Sequence, residues 1–304
     1  MSAQTTATLT NEMQTFYEST FLARAENMRV YEEGAQKKTH QANSGKLIYF
    51  TRYSPLATVT TPLTEGANPS EVDITGATVS ATLAEYGSMA KISKLLSLTS
   101  IDRNAKEKIE LFGQNMGETF DELTRDALVS GGTSLLGGSA TTVSDVAASD
   151  TLSANEIRRV VNKLEIAKAM RYSDGFYMGK VVPQTKYNLI ADSTWVNAKT
   201  YSDVKDLYKG EIGELYGVRF LLGTNAKTST QGSVTTYYNI FHGKEAFGCV
   251  DLSGDKPRLF VKMPNENDTS NPADRYSTIA WAGSWTCVAL NANWIQHLRT
   301  RGQA

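Results

Sequence analysis

The sequence holds two thiols, Cys249 and Cys287, and three imidazoles, His40, His242 and His297. A thiol deprotonated by an imidazole attacks carbonyl carbon, so a Cys–His hydrolase is one reading of this set. Neither cysteine sits in a nucleophile elbow or a papain-type run. Cys287, beside Val288 and close to Trp285, reads as a packed core thiol, and Cys249 as a core or interface thiol. His242 closes an expected strand before Gly243-Lys244 and reads as a surface histidine. No CxxC or HxxxH spacing occurs, which argues against a disulfide framework or a structural zinc site. Gly45-Lys46, Gly179-Lys180 and Gly243-Lys244 are each half of a phosphate-binding loop. They lack the earlier glycine and the following Ser or Thr, and they read as structural turns. Asn265, Glu266, Asn267 and Asp268 offer oxygens to a hard cation at a spacing unlike that of an EF-hand, and read as a solvated loop. Tyr237-Tyr238 and Trp281/Trp285 lack interleaved cations, which favours core packing over base stacking. No catalytic, metal or cofactor site is expected from these groups.

A second constellation points to association. Glu65, Glu71, Asp73 and Glu85 face a single base, Arg52, between Leu47 and Ala90 of the hairpin Lys46–Ile92. Just beyond stand Lys91, Lys94, Arg103, Lys106 and Lys108. An acidic segment meeting a basic patch on another copy sets register more than affinity. The competing reading is a solvated surface of mixed charge.

The elements that carry these residues follow from periodicity. Lys46–Tyr53 and Thr78–Ile92 read as strands, the latter by alternation of Val79, Ala81 and Leu83 with Thr78, Ser80 and Thr82. Between them Pro55, Pro62 and Pro69 forbid a central sheet position and demand a projecting loop whose tip includes Pro62 and Leu63. A hairpin that long is marginal alone in water and needs something to lie on, such as another subunit. Asp102–Ser130 is the strongest helix, with Ile109, Phe112, Met116, Phe120, Leu123 and Ala127 on one face and a stop at Gly131-Gly132. Gly113 and Gly117 inside it allow a bend or a close neighbouring backbone. Gly131–Asp150 reads as a surface loop. Ser153–Tyr172 opens with a capping box and is followed by a strand over Phe176–Val182 and a helix begun by Pro183. Strands are expected at Val218–Leu222, Thr235–His242 and Arg258–Met263, with a short segment at Lys244–Cys249. Tyr276–Arg299 is β-like and apolar on both faces, with a bend or bulge at Gly283. The mixture is α+β or α/β. Residues 1–45 form a polar arm whose weak apolar stripe, over Glu12–Glu33, suits a helix lying on a neighbour and ordered only in an assembly.

Hydrophobic residues make up 40% of 304 positions, enough for one large core or two linked ones. With 31 basic and 32 acidic residues the net charge is −1, so contact with nucleic acid is expected to be weak, local and non-specific. Met1–Thr10 lacks the pattern of a secretory signal, and the uncharged stretch Tyr276–Gln296 is too polar for a bilayer span, so no membrane is expected.

The order of arm, long proline-tipped hairpin, long helix, mixed body and returning strands resembles the major capsid proteins of tailed bacteriophages with the Hong Kong 97-type fold. More narrowly it is similar to the coat-protein group typified by the coliphage N-four. Four stretches carry the resemblance: Thr61–Pro69 with Ile74–Tyr86, Asp121–Arg125 through Gly131, Gly210–Phe220, and Asp274–Arg299 with Asn293-Trp294-Ile295. The resemblance implies an α+β fold. Its parts would be an N-arm at 1–45, an E-loop hairpin at 46–93, a P-domain spine helix at 94–132 and an A-domain at 133–257, with strands returning to both domains at 258–304. It implies a non-enzymatic subunit that forms pentamers and hexamers of an icosahedral shell around double-stranded DNA. The expected partners are a separate scaffolding protein, a portal and a decoration protein. Assembly would take place in the cytoplasm of a bacterial host. The type member of the family cross-links subunits through an E-loop lysine; between Leu47 and Ala90 this chain has none, so that chemistry is not expected from its E-loop. An encapsulin-like compartment, a tail or portal component and the Cys–His hydrolase are the alternatives.

Overall fold

The computed structural model describes residues 18–25, 28–41, 45–53, 56–66, 68–95, 105–195, 213–252, 257–262, 271, 273 and 275–302. The fold is built on two sheets and a hairpin. The first sheet comprises β1 (Gln36–His40), β4 (Ala84–Ser93), β11 (Phe247–Leu252), β12 (Arg258–Lys262) and β13 (Tyr276–Ala289). β13 is its axis. It pairs antiparallel with β4 along Tyr276–Trp285, with β12 along Thr278–Ala282, and with β11 along Thr286–Ala289. Alternation of apolar residues on both parities of β13 is thereby explained. Ile279, Trp281 and Trp285 enter the main core, and Val288 packs into a smaller cluster on the other face. Gly283 introduces no bulge, because pairing with β4 runs through it unbroken. A Cβ there would lie 3.0–3.1 Å from Pro257, so the glycine admits a close-packed ring.

Helix α1 (Ala105–Gly131) lies against β13. At about 1.5 Å per residue its 27 residues extend roughly 40 Å. Phe120 stacks on Trp285 at 5.2 Å and meets Trp281 edge-on at 5.7 Å. The indole N–H groups of Trp281 and Trp285 donate to Asn115 Oδ1 and Thr124 Oγ1, so both large rings are buried without orphaned donors.

The second sheet has the order β5 (Thr133–Leu136), β14 (Ile295–Thr300), β10 (Val234–His242), β6 (Tyr177–Val181), β8 (Val218–Leu222) and β7 (Gly213–Leu215), with β9 (Thr228–Gln231) also paired to β10. Helix α2 (Ala154–Ile166), capped by Ser153, buries Ile157, Val160, Val161 and Leu164 in the core that this sheet shares. Pro183 opens α3 (Pro183–Ala191) as expected. The segment read as a surface loop holds β5, which pairs in parallel with β14. Its small residues masked a four-residue strand with little periodicity to show.

The hairpin consists of β2 (Leu47–Tyr53) and β3 (Gly76–Thr82), in register from Leu47 opposite Thr82 to Tyr53 opposite Gly76. The single strand expected over Thr78–Ile92 is therefore two. Leu83 separates them, and β4 leaves the hairpin for β13. Nor is the whole hairpin without support in its own chain. Ile48, Phe50 and Ala81 pack on Val250, and the Phe50 ring sits where a Cβ of Gly248 would be.

The arm also finds its partner within the chain. Residues 18–25 are helical, and Phe21, Ala25 and Tyr31 are buried in the α1–β13 core. Gly113 and Gly117 permit this. A Cβ on either would lie 2.5–2.6 Å from the carbonyl oxygens of Phe21 and Ala25. The expectation of an arm ordered only on a neighbour is corrected for these residues, because two glycines one turn apart open a groove for its backbone. Gly34 turns the chain at φ +84°, hemmed by the side chains of Tyr172, Met178 and His242. β1 then adds in parallel to β11. Its sequence, Gln36-Lys37-Lys38-Thr39-His40, has no apolar alternation and was unreadable as a strand. Gly117→Val should expel the arm helix, seen as protease cleavage within residues 18–34 while the remaining chain stays folded.

Candidate intersubunit surface

Every described residue from 56 to 75 is exposed. Among them Leu56, Val59, Leu63, Val72 and Ile74 are large apolar side chains, between 56 and 78% exposed. Five large apolar side chains thus stand exposed on one loop, more than isolated surface residues call for. Pro62 lies on the same tip. Among the described residues, Glu65, Glu71 and Asp73 make no ion pair with their own chain.

The structure divides the remaining candidates. Glu85 does not belong to the hairpin; it is on β4, opposite Ser284 of β13. Arg52 is exposed at the hairpin's end, and its guanidinium lies over the Trp294 ring at 5.2 Å, turned toward the body rather than the acidic tip. Lys91 and Lys94 come together. With Arg275 they line a cleft of about 820 Å³ at the end of β4 and β13. The Lys91 ammonium lies 4.9 Å from the Tyr276 ring centre, and the Lys94 backbone N–H donates to the Arg275 carbonyl at 2.7 Å. Lys108 is half-buried on α1. Arg103 and the Lys106 side chain lie outside the described residues, as does the Asn265–Asp268 run. Sequence reasoning missed Arg275, which is distant in the chain and brought beside Lys94 by the pairing of β4 with β13.

A buried polar group fastens arm, helix and second sheet. The Tyr31 backbone N–H donates to Asp121 Oδ1 at 2.6 Å, and the Asn225 amide donates to Oδ2 at 2.8 Å. The Lys180 ammonium donates to the Tyr31 carbonyl at 2.5 Å and lies 4.8 Å from the Phe247 ring centre. Burial lowers the Lys180 pKa to about 8, against the pull of nearby acidic groups, and burial pushes the Asp121 carboxyl up. Gly179-Lys180, read as a turn, is thus the middle of β6 with its lysine fully buried. Arg29 completes the fastening, with its guanidinium over Trp285 at 4.6 Å and an ion pair to Glu32 at 2.5 Å.

The thiols and imidazoles do not assemble into a nucleophile–base pair among the described residues. Cys249 Sγ is 3.1 Å from Cys287 Sγ. His40 Nε2 meets the Gly45 carbonyl, and His297 Nε2 meets that of Gly132. His242, expected at the surface, is fully buried, and its Nδ1 lies 3.0 Å from the Tyr172 hydroxyl. The strand end it occupies is covered by the arm's turn at Gly34, which no local pattern announces. Burial holds the His242 pKa well below the usual imidazole range and lowers that of His297 to about 4.

A depressed imidazole pKa gives an acid-labile fold. Above about pH 6.5 His297 is neutral in both states and its contribution is intact. Between 6.5 and 4 the unfolded chain takes the proton and the folded one does not, so stability falls with pH, by about 3 kcal/mol in all. Asp121 and Glu156, whose carboxyls burial pushes up, oppose this in part. His297→Gln keeps a donor to Gly132, and its urea midpoint should drop less between pH 7 and 4.5 than that of the parent.

No family model matches the chain, and no curated protein matches it. Solved structures match over most of its length. The capsid of Ralstonia phage GP4 is 14% identical, with 91% of each chain covered and a TM-score of 0.68. The capsid structure of the cyanophage P-SCSP1u is 13% identical, covering 90% of this chain and 89% of that one at a TM-score of 0.67. The acidic stable capsid structure of Helicobacter pylori bacteriophage KHP30 is 11% identical, covering 89% and 88% at 0.63. The likeness is one of fold, and it bears out the expected α+β architecture of the Hong Kong 97 type.

Proposed function

We propose that this chain is the major capsid protein of a tailed bacteriophage, a structural subunit rather than an enzyme. In this reading copies associate as pentamers and hexamers of an icosahedral shell around double-stranded DNA. The observation that carries it is the hairpin: anchored at Ile48, Phe50 and Ala81, yet bare at Leu56, Val59, Leu63, Val72 and Ile74, on a fold shared with phage capsid chains. Apolar surface of that kind, repeated on every copy, drives association, and rotational symmetry closes it. That the matched structures are phage capsids supports this reading over an encapsulin-like compartment or a Cys–His hydrolase. The narrower likeness to the N-four group rests on the four sequence stretches. With a separate scaffolding protein, a portal and a decoration protein as partners, the chain would assemble in the bacterial cytoplasm and end in the virion. Its near-neutral charge suits weak, non-specific contact with the packaged DNA.

The tip of one copy would meet the cleft of the next, with Glu65, Glu71 and Asp73 facing Lys91, Lys94 and Arg275. Arg103, Lys106 and Lys108 would extend the basic side. Negative-stain microscopy of the concentrated protein tests the shell directly: closed particles are expected, and a strictly monomeric chain at all concentrations overturns the proposal. Glu71→Lys with Asp73→Lys should lower shell yield several-fold at low salt and less at about 0.5 M salt, where exposed charges are screened.

A further inference from the structure

We propose that Cys249 and Cys287 are a modification site, where exchange with a small-molecule disulfide makes an internal cross-strand disulfide. The two residues are direct partners in the antiparallel pairing of β11 with β13. Both are free thiols, with their sulfurs 3.1 Å apart. A disulfide bond is about 2.05 Å, so closure needs a shift of roughly 1 Å, within the reach of small side-chain rotations. Both positions lie on paired strands, which hold the sulfurs facing each other. The bond would join residues 38 positions apart and close a loop that contains β12. β11 and β13 would then be tied covalently at a register that backbone hydrogen bonds otherwise hold.

The surroundings order the steps. Cys249 is 2% exposed, whereas Cys287 is half-buried, so the reagent meets Cys287 first. The hydrogen bond to Cys287, together with burial, pushes the Cys249 thiol up, which keeps it protonated until the second step. The buried Lys180 ammonium lies within electrostatic reach of both sulfurs and favours the thiolate each step requires. In the first step Cys287 Sγ bonds to one sulfur of oxidised glutathione. The glutathione S–S bond breaks, and the departing thiolate takes the Cys287 proton. In the second, Cys249 Sγ attacks Cys287 Sγ, the mixed disulfide breaks, and the second glutathione thiolate takes the Cys249 proton. Two protein thiols are oxidised and one glutathione disulfide is reduced to two thiols. This chemistry does not depend on the shell reading.

The test incubates the full-length purified chain with excess oxidised glutathione at pH 8. Thiols are then counted in denaturant, and peptides are mapped by mass spectrometry without reduction. The expected result is a fall from two thiols per chain to none, with a linked Cys249–Cys287 peptide and no bound glutathione. Cys249→Ser should instead stop at a stable glutathione adduct on Cys287. The proposal is overturned if the parent chain keeps both thiols, ends as a glutathione adduct, or links only between chains. The parent measurement decides even if the variant does not fold.

Discussion

Asp121→Ala should lower the unfolding free energy by about 3–5 kcal/mol, read from urea denaturation at pH 7. The carboxylate accepts the Tyr31 backbone N–H and the Asn225 amide, and it is a counter-charge to the fully buried Lys180. Truncation leaves two donors without their acceptor and removes one of the negative groups that offset the buried Lys180 ammonium. Asp121→Asn retains an oxygen for Tyr31 and should cost roughly half as much. The double variant Asp121→Leu with Lys180→Met should recover much of the loss, because removing both charges leaves none buried alone. A full loss in the double variant would mean that shape, not charge pairing, is what the site provides. Arm release should accompany the destabilisation, since Tyr31 is held by its N–H to Asp121 and by its carbonyl to Lys180.

Leu63→Asp with Val72→Asp should abolish shells while leaving the folded subunit intact. The two side chains are 66% and 57% exposed, so the substitutions should move the monomer's unfolding free energy by no more than about 0.5 kcal/mol. On a neighbour each would bury apolar area worth roughly 1.5 kcal/mol. Losing both weakens a contact by about 3 kcal/mol, on the order of 100-fold, and burying carboxylates there weakens it further. Because a closed shell repeats the contact at every subunit, the onset of assembly should move beyond reachable concentrations in light scattering. Closed particles forming at the parent's concentration would show that the tip carries no association energy.

Local chemistry made much of this fold legible. The stripe from Ile109 to Phe120, the Ser153 cap, Pro183 at a helix start and the prolines between β2 and β3 each act within a few residues, and each is found where periodicity and turn chemistry put it. The exposed tip follows from the same prolines. Errors arose where a residue's environment is set by another part of the chain. Val79, Ala81 and Leu83 share one parity, whereas Tyr86, Ala90 and Ile92 share the other, because the partner changes at Leu83 from β2 to β13. β1 is all polar because it is an edge held by ladder hydrogen bonds rather than by an apolar face.

The buried polar groups mark the same divide. Asp121, Thr124 and Arg125 sit on the helix beside an apolar stripe and carry no local sign of burial. His242 and Lys180 look like ordinary strand-end and post-glycine polar residues, and distant parts of the chain, the arm and Phe247 among them, take them from water. By itself the sequence determined the long helices, the strands with apolar periodicity and the proline-bearing loop, because those follow from backbone preference and short-range spacing. Only the tertiary structure decided that residues 18–25 lie on helix α1 of the same chain, that Arg275 joins Lys91 and Lys94, and that the two cysteines face each other. Those outcomes depend on contacts between residues far apart in the chain, for which a single sequence carries no periodic record.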